Sequence, residues 1–242
     1  MLLKNSQANF KEVIEIAKQK QEKSLFVFDM DSTLFCMKYR TQALIDSCLE
    51  NTAFCEKFKL YLEKIKEIQV TETDWSIPEI MSRYGFHLEE EIVTAVYKIW
   101  RKGFFSNNYL YLDRPYKDCV NFVQYISQLK AQVYYLTARN YNTMYEGTVQ
   151  SLKQWNFPLK QESCLIMKKD SSRNDADYKT DHLQSFSKKF DTILFFENEP
   201  VILNKVAQQL PQIHLFWMNS AHSRQESPPK TALALNMKYS FE

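Results

Sequence analysis

Apolar residues in this chain gather into four short unbroken runs, at 25–29, 132–137, 163–167 and 192–197, with a fifth candidate, IHLFWM, at 213–218. Runs of that length without alternation predict strands buried on both faces. Between and after them, apolar positions recur at helical spacing. Over 115–129 they fall at Val120, Phe122, Val123, Ile126 and Leu129, and further helical stretches cover 141–155, 178–189 and 199–209. Strand–helix alternation predicts an α/β fold, a Rossmann-like parallel sheet with helices on both faces. Ligands of such sheets bind beyond the carboxyl ends of the strands, where Asp29, Thr137 and Glu197 fall.

One stretch breaks the alternation. From about 36 to 109 the pattern is helical (Tyr39–Glu50, Ala53–Ile68, Leu88–Arg101) with no convincing strand. It separates the first strand from the next by far more than a crossover requires. The expected organisation is therefore an α/β core of residues 1–35 and 110–242, with 36–109 inserted after the first core strand as an all-helical cap. The opening segment, through Gln21, reads as an amphipathic helix and not as a signal peptide. The stretch NSAHSRQESPPKT reads as loop or linker, and the pattern assigns no role to the residues after it.

Composition narrows the function more than the fold. A net charge of +2 is too near balance to argue for nucleic acid or a membrane surface, and clusters such as Lys168-Lys169 and Lys188-Lys189 read as solvated faces. No apolar run approaches the ~18 residues of a membrane span. With only three glycines, Gly85, Gly103 and Gly147, dinucleotide and Walker-type phosphate loops are excluded. Five cysteines without C-x-x-C spacing fit reduced, buried thiols and a cytoplasmic setting. The four histidines share no metal-ligand spacing, and Ser32 has no partner base.

The first apolar run ends in an expensive way. In LFVFDMDSTLF, Asp29 and Asp31 stand at the end of a buried strand, where two carboxylates repel and each is costly to desolvate without a positive partner. A calcium loop would need Gly and Glu where Leu34 and Arg40 stand, so that reading fails. The residues FDMDSTL instead resemble the first motif, D-x-D-x-T, of the haloacid dehalogenase superfamily. Three further stretches resemble its later motifs in order, so the likeness covers nearly the whole chain. VYYLTARN ends a strand in Thr137, DADYKTDHL offers Lys179, and TILFFENEP offers Glu197 and Asn198 in place of the usual acidic pair. Lys168 and Lys169 compete with Lys179 for the lysine position. Arg139 suits either a substrate phosphate or carboxylate or a surface ion pair.

The resemblance implies a chemistry. Asp29 would be the nucleophile of an aspartyl-phosphate, and Asp31 the general acid and then the base. Thr137 and Lys179 would complete the phosphoryl cradle. Mg²⁺ would be held by Asp29, the Asp31 backbone carbonyl and Glu197, with Asn198 acting through water and Glu199 starting the next helix. The family has helical caps of the C1 type, as the insertion suggests. The expected activity is hydrolysis of a phosphomonoester, a small molecule rather than a phosphoprotein. A phosphomutase or phosphotransferase, or a regulatory protein with a weakened metal site, would carry the same motifs. The pattern leaves the substrate and the oligomeric state open.

Overall fold

The computed structural model describes residues 10–20, 23–169 and 172–239. Helix α1 (Phe10–Lys20) precedes strand β1 (Ser24–Phe28), and the acidic loop leads to a two-residue strand, β2 (Phe35–Cys36). The helical stretch follows: α2 (Lys38–Asp46), α3 (Thr52–Lys57), α4 (Leu62–Lys66), α5 (Ile77–Arg83) and α6 (Glu90–Phe104). The chain returns through β3 (Arg114–Pro115), then α7 (Cys119–Gln128), β4 (Gln132–Asn140), α8 (Tyr141–Gln154) and β5 (Leu165–Lys168). It ends with α9 (Asp175–Phe186), β6 (Thr192–Glu197), α10 (Pro200–Gln209), β7 (His214–Met218) and β8 (Leu233–Leu235).

Six strands form one sheet in the order β5-β4-β1-β6-β7-β8, and every pairing is parallel. Central β1 is buried along its length, which is why its sequence does not alternate in polarity. Its side chains still divide between two cores. Phe26 and Phe28 join Phe10, Phe122 and Met144 on one face, and Leu25 and Val27 join Leu183 and Leu203 on the other. Across the first face Phe28 stacks on Phe196 at 4.5 Å, and Phe196 on Phe216 at 4.7 Å. This ladder fixes the register of three adjacent strands at the level of the acidic loop.

The insertion leaves and rejoins the sheet through one narrow neck. β2 and β3 pair antiparallel, Phe35 opposite Pro115 and Cys36 opposite Arg114. Between them the helices bury a third apolar cluster of their own, including Ile45, Ile65, Ile80 and Ile92. The expected helix Ala53–Ile68 is broken into α3, a single 3-10 turn at 59–61, and α4. α5 was absent from the expected set and is fixed by Ser76, whose hydroxyl accepts from the Glu79 N–H at 3.3 Å. The expected helix at 115–129 starts later, at Cys119, because Arg114 and Pro115 are spent on β3.

The C-terminal part is more than a linker. β8 adds a sixth strand, and Tyr239 is wholly buried, its hydroxyl donating to the Thr33 carbonyl at 2.7 Å. Residues 1–9, 21–22, 170–171 and 240–242 lie outside the described residues, and with the first two groups the outer parts of the expected N-terminal helix. Among the described residues no helix is long and apolar enough to cross a membrane.

Candidate active site

The acidic loop is a tight turn built on one carbonyl. Met30 C=O accepts from the N–H groups of Leu34 and Phe35, both at 2.9 Å, and Ser32 takes a left-handed conformation with φ 60°. A serine there is strained, and the surroundings hold it: its N–H donates to Phe35 C=O, and its own carbonyl accepts from the Ser220 hydroxyl at 2.5 Å. The turn folds Asp31 back above the strand end, while Asp29 stays attached to β6 through its N–H to Phe196 C=O at 3.0 Å.

Lys179 supplies the missing positive charge. Its Nζ donates to Asp29 Oδ1 at 2.5 Å and to Glu197 Oε2 at 2.6 Å, and all three side chains are buried. Asn174 caps α9 through the N–H groups of Ala176 and Asp177, which sets the helix that carries Lys179. Of the competing lysines, Lys168 pairs with Asp175 at 2.5 Å and Lys169 lies over the Tyr141 ring, so Lys179 alone of the three reaches Asp29. Thr137 is buried within β4, which runs three residues past the strand end expected there; it lines the same cleft, and its hydroxyl accepts from the Arg139 N–H at 3.2 Å.

The charges here do not balance. Burial raises the Asp29 carboxyl, and Lys179 offsets only part of that. Burial and then the neighbouring Asp29 push Glu197 up to about 8, against the pull of Lys179. Lys179 itself is raised, its two carboxylates outweighing burial. Two carboxylates sharing one ammonium leave the site short of positive charge. The Glu197 carboxylate also accepts from the N–H groups of Asn198 and Glu199, each at 3.1 Å, which fixes it as the strand terminates.

Arg139 lines the cleft, and it makes its ion pairs from a buried position rather than at the surface. Its Nη2 lies 2.5 Å from Asp31 Oδ1 and 2.5 Å from Asp113 Oδ2. A register shift between β4 and β5 at Thr137–Asn140 accompanies this placement. Arg40, from the first helix of the insertion, completes the group. Its Nη2 donates to Asp31 at 2.9 Å, and its Nε faces Asp113 Oδ1 at 3.2 Å. Burial would raise Asp31, but the two guanidiniums outweigh it and hold the carboxyl at about 2. Asp113, wholly buried, is raised by burial despite both arginines. Arg40 and Asp113 escaped the sequence reading. An arginine in an amphipathic helix and an aspartate before a turn look like surface residues, and only the neck between β2 and β3 brings them together.

The remaining fourth-motif residues serve the loops. The Asn198 amide donates to Ala221 C=O at 2.6 Å and accepts from the Thr33 hydroxyl at 3.3 Å, so it braces the acidic loop. Glu199 precedes α10, as expected, but its carboxylate accepts from both the N–H and the hydroxyl of Ser223, at 2.9 and 2.7 Å. It thereby anchors the loop after β7, which forms one side of the cleft.

That cleft, about 670 Å³, lies between the strand ends and the insertion. Asp29, Thr137, Lys179 and Glu197 line it from the core, and Trp75, Trp100 and Phe104 line it from the insertion.

No family model and no curated protein matches the sequence. Solved structures do match. A haloacid dehalogenase-like family hydrolase from Streptococcus pneumoniae covers 88% of this chain and 94% of its own, with a TM-score of 0.53 at 11% identity. A protein from Clostridium difficile, assigned as a phosphatase by inference, covers 90% and 95% with a TM-score of 0.56 at 11% identity. A predicted phosphatase from Clostridium acetobutylicum covers 88% and 93% with a TM-score of 0.51 at 13% identity. At such identities the likeness shows architecture: the chain has the haloacid dehalogenase-like fold, as its four motifs imply.

Proposed function

We propose that this protein is a Mg²⁺-dependent phosphomonoesterase working through a phosphoryl group on Asp29. The observation that carries the reading is the bond of Lys179 to both Asp29 and Glu197 at the floor of a cleft beyond the strand ends. It puts a nucleophile, a buried cation and a second carboxylate where a phosphoryl group would meet all three.

The residues fit a magnesium ion. The donors are hard oxygens, and the pair Asp29–Glu197 is under-neutralised by its single lysine. Asp29, the Asp31 carbonyl and Glu197 would hold the ion, with Asn198, whose amide is engaged, contributing through water. Bound there, Mg²⁺ would offset the charge of an incoming phosphate.

The chain's own residues do the rest. An Asp29 carboxylate oxygen attacks phosphorus, and the bond from phosphorus to the alcohol oxygen breaks. The leaving oxygen takes a proton from Asp31 or departs as an anion. Water then attacks the phosphoryl group, Asp31 accepts its proton, and Asp29 is regenerated with release of phosphate. Lys179 favours the ionised form of Asp29 and directs it, and the Thr137 hydroxyl donates to a phosphoryl oxygen. The insertion acts as a cap that encloses this chemistry, hinged at the β2–β3 neck.

The test is Asp29→Asn against wild type on a small aryl phosphate with Mg²⁺. The reading expects hydrolysis to vanish in the variant, because an amide is a very poor nucleophile at phosphorus. Rates near wild type would remove Asp29 from its role.

A further inference from the structure

The cleft has two unlike sides. The core contributes the charged groups around Asp29, and the insertion contributes a wall in which five aromatic residues stand among aliphatic and a few polar ones. Tyr97, Trp100 and Phe104 recur at spacings of three and four on α6, with Phe105 following and Trp75 from the segment before α5. The four rings from Tyr97 to Phe105 form a continuous shelf, and Trp75 lines the same cleft apart from it. Tyr97 stacks with Trp100 at 5.7 Å, and Trp100 packs on Phe104 at 4.5 Å. Phe105 meets both Trp100 and Phe104 edge-on, at 5.9 and 5.1 Å. Trp75 remains 43% exposed and Phe105 47%. Contiguous aromatic surface left open beside a polar floor is costly in water and is a common mark of a ligand site.

Beside the rings the wall carries the aliphatic Met37, Ile77 and Ile80 and few polar groups, of which Thr41 already accepts from the Trp100 indole and Ser76 from the Glu79 N–H. Of the basic side chains lining the cleft, Arg139 and Lys179 are committed to Asp31, Asp113, Asp29 and Glu197, which leaves Arg101. Asp74 is paired with Arg83, and Glu199 with Ser223. A polyphosphate would need more cations, and a sugar more hydrogen-bonding groups, than this wall presents. The shelf also begins close to the chemistry. The Arg40 guanidinium stacks on the Phe104 ring at 3.9 Å while donating to Asp31.

We infer that the cleft takes phosphomonoesters whose alcohol part carries a flat aromatic ring system, stacked on the shelf of Trp100, Phe104 and Phe105 and joined to the phosphate directly or through a short link. The phosphate end of this assignment rests on the phosphomonoesterase reading; the aromatic end rests on the shelf alone.

Binding and turnover separate the two. Calorimetry would compare 2-naphthylmethylphosphonate with butylphosphonate, neither of which can be hydrolysed, on the full chain with Mg²⁺. The expected result is tighter binding of the naphthyl compound by about tenfold or more, as ring stacking supplies. Trp75→Ala, Phe105→Ala and Trp100→Leu, checked for a wild-type thermal transition, should each shrink that ratio. Equal affinity, no binding of either compound, or a ratio unchanged in all three variants overturns the inference. Parallel assays of 2-naphthyl phosphate and butyl phosphate then locate any failure. A naphthyl preference in binding without turnover of either ester would sink the phosphatase reading and leave the aromatic site standing. Turnover of both esters without a binding preference would do the reverse.

Discussion

One terminal nitrogen of Arg139 bridges Asp31 and Asp113 at 2.5 Å to each, so the acidic loop, the end of β4 and the exit from the insertion meet at a single guanidinium. Arg40 closes the same group from the first helix of the insertion. Two arginines and Asp113 are thus buried, and Asp31, 29% exposed, completes a set of two positive and two negative charges. Burying such a set adds little net stability, but removing one member strands the others.

Arg139→Met should therefore destabilise the fold by about 3–5 kcal/mol, since Asp31 and Asp113 would be left to one guanidinium. Asp113→Asn should cost less, because the amide still accepts hydrogen bonds. Urea unfolding monitored by tryptophan fluorescence measures both. A loss under about 1 kcal/mol for Arg139→Met, the range of an exposed pair, would contradict the account.

Stability in the absence of metal should depend on pH in two opposite ways. Asp31 is held at about 2, below its unfolded value of about 3.9, so its contribution is complete above about pH 4 and is lost as pH falls toward 2. Glu197 is raised to about 8, above its unfolded value of about 4.3. Between those values the folded chain holds a proton that the unfolded chain lacks, and stability falls as pH rises. Thermal melts in chelator should show that alkaline decline, and Glu197→Gln should flatten it. Added Mg²⁺ should flatten it too, since the ion replaces the proton. A decline unchanged in Glu197→Gln would assign it to another group.

A second pH effect concerns the leaving group. With Asp31 held at about 2 by two arginines, the protonated form that would donate is scarce at neutral and alkaline pH. Aryl phosphates, whose leaving oxygen needs no proton, should outpace alkyl phosphates most at alkaline pH, and the ratio of the two kcat values should narrow as the medium is acidified. A ratio independent of pH would argue against Asp31 as the acid.

The three residues at the end of β6 should separate cleanly. Glu197→Gln should raise the Mg²⁺ requirement strongly, by removing a formal charge from the donor set. Asn198→Ala should act through the acidic loop that it braces, with a smaller effect on metal. Glu199→Ala frees Ser223 and should cost about 1–2 kcal/mol, with metal affinity nearly unchanged. Mg²⁺ titrations of activity beside thermal melts of the three variants would show it. A dominant metal effect at Glu199 would displace the assignment to that residue.

Much of this was legible in the chain, for physical reasons that differ by residue. β1 and β6 announce themselves because a strand covered on both faces must be apolar, and β4 and β7 through shorter apolar runs within partly exposed strands. Asp29 and Asp31 stand out because acids ending such a run are costly without a purpose. Lys179 fits the lysine position better than Lys168 and Lys169 because it lies 18 residues before Glu197, and it falls in α9, which Asn174 caps. What stayed hidden depends on contacts between distant segments. Arg40 and Asp113 lie 73 residues apart in sequence and meet only at the neck. β8 and Tyr239 follow a polar loop, and nothing local distinguishes a parallel edge strand from a short apolar tail.

The central claim is that Asp29 itself carries the phosphoryl group, and the most direct measurement is to catch it there. The full chain would be mixed with a rapidly hydrolysed aryl phosphate and Mg²⁺, quenched in acid within the first turnover, digested and mapped by mass spectrometry. The account predicts one added phosphoryl group on the peptide containing Asp29, absent in Asp29→Asn and lost on treatment with hydroxylamine, as an acyl phosphate requires. A phosphoryl group on any other residue, or rapid turnover that persists in Asp29→Asn, would contradict it.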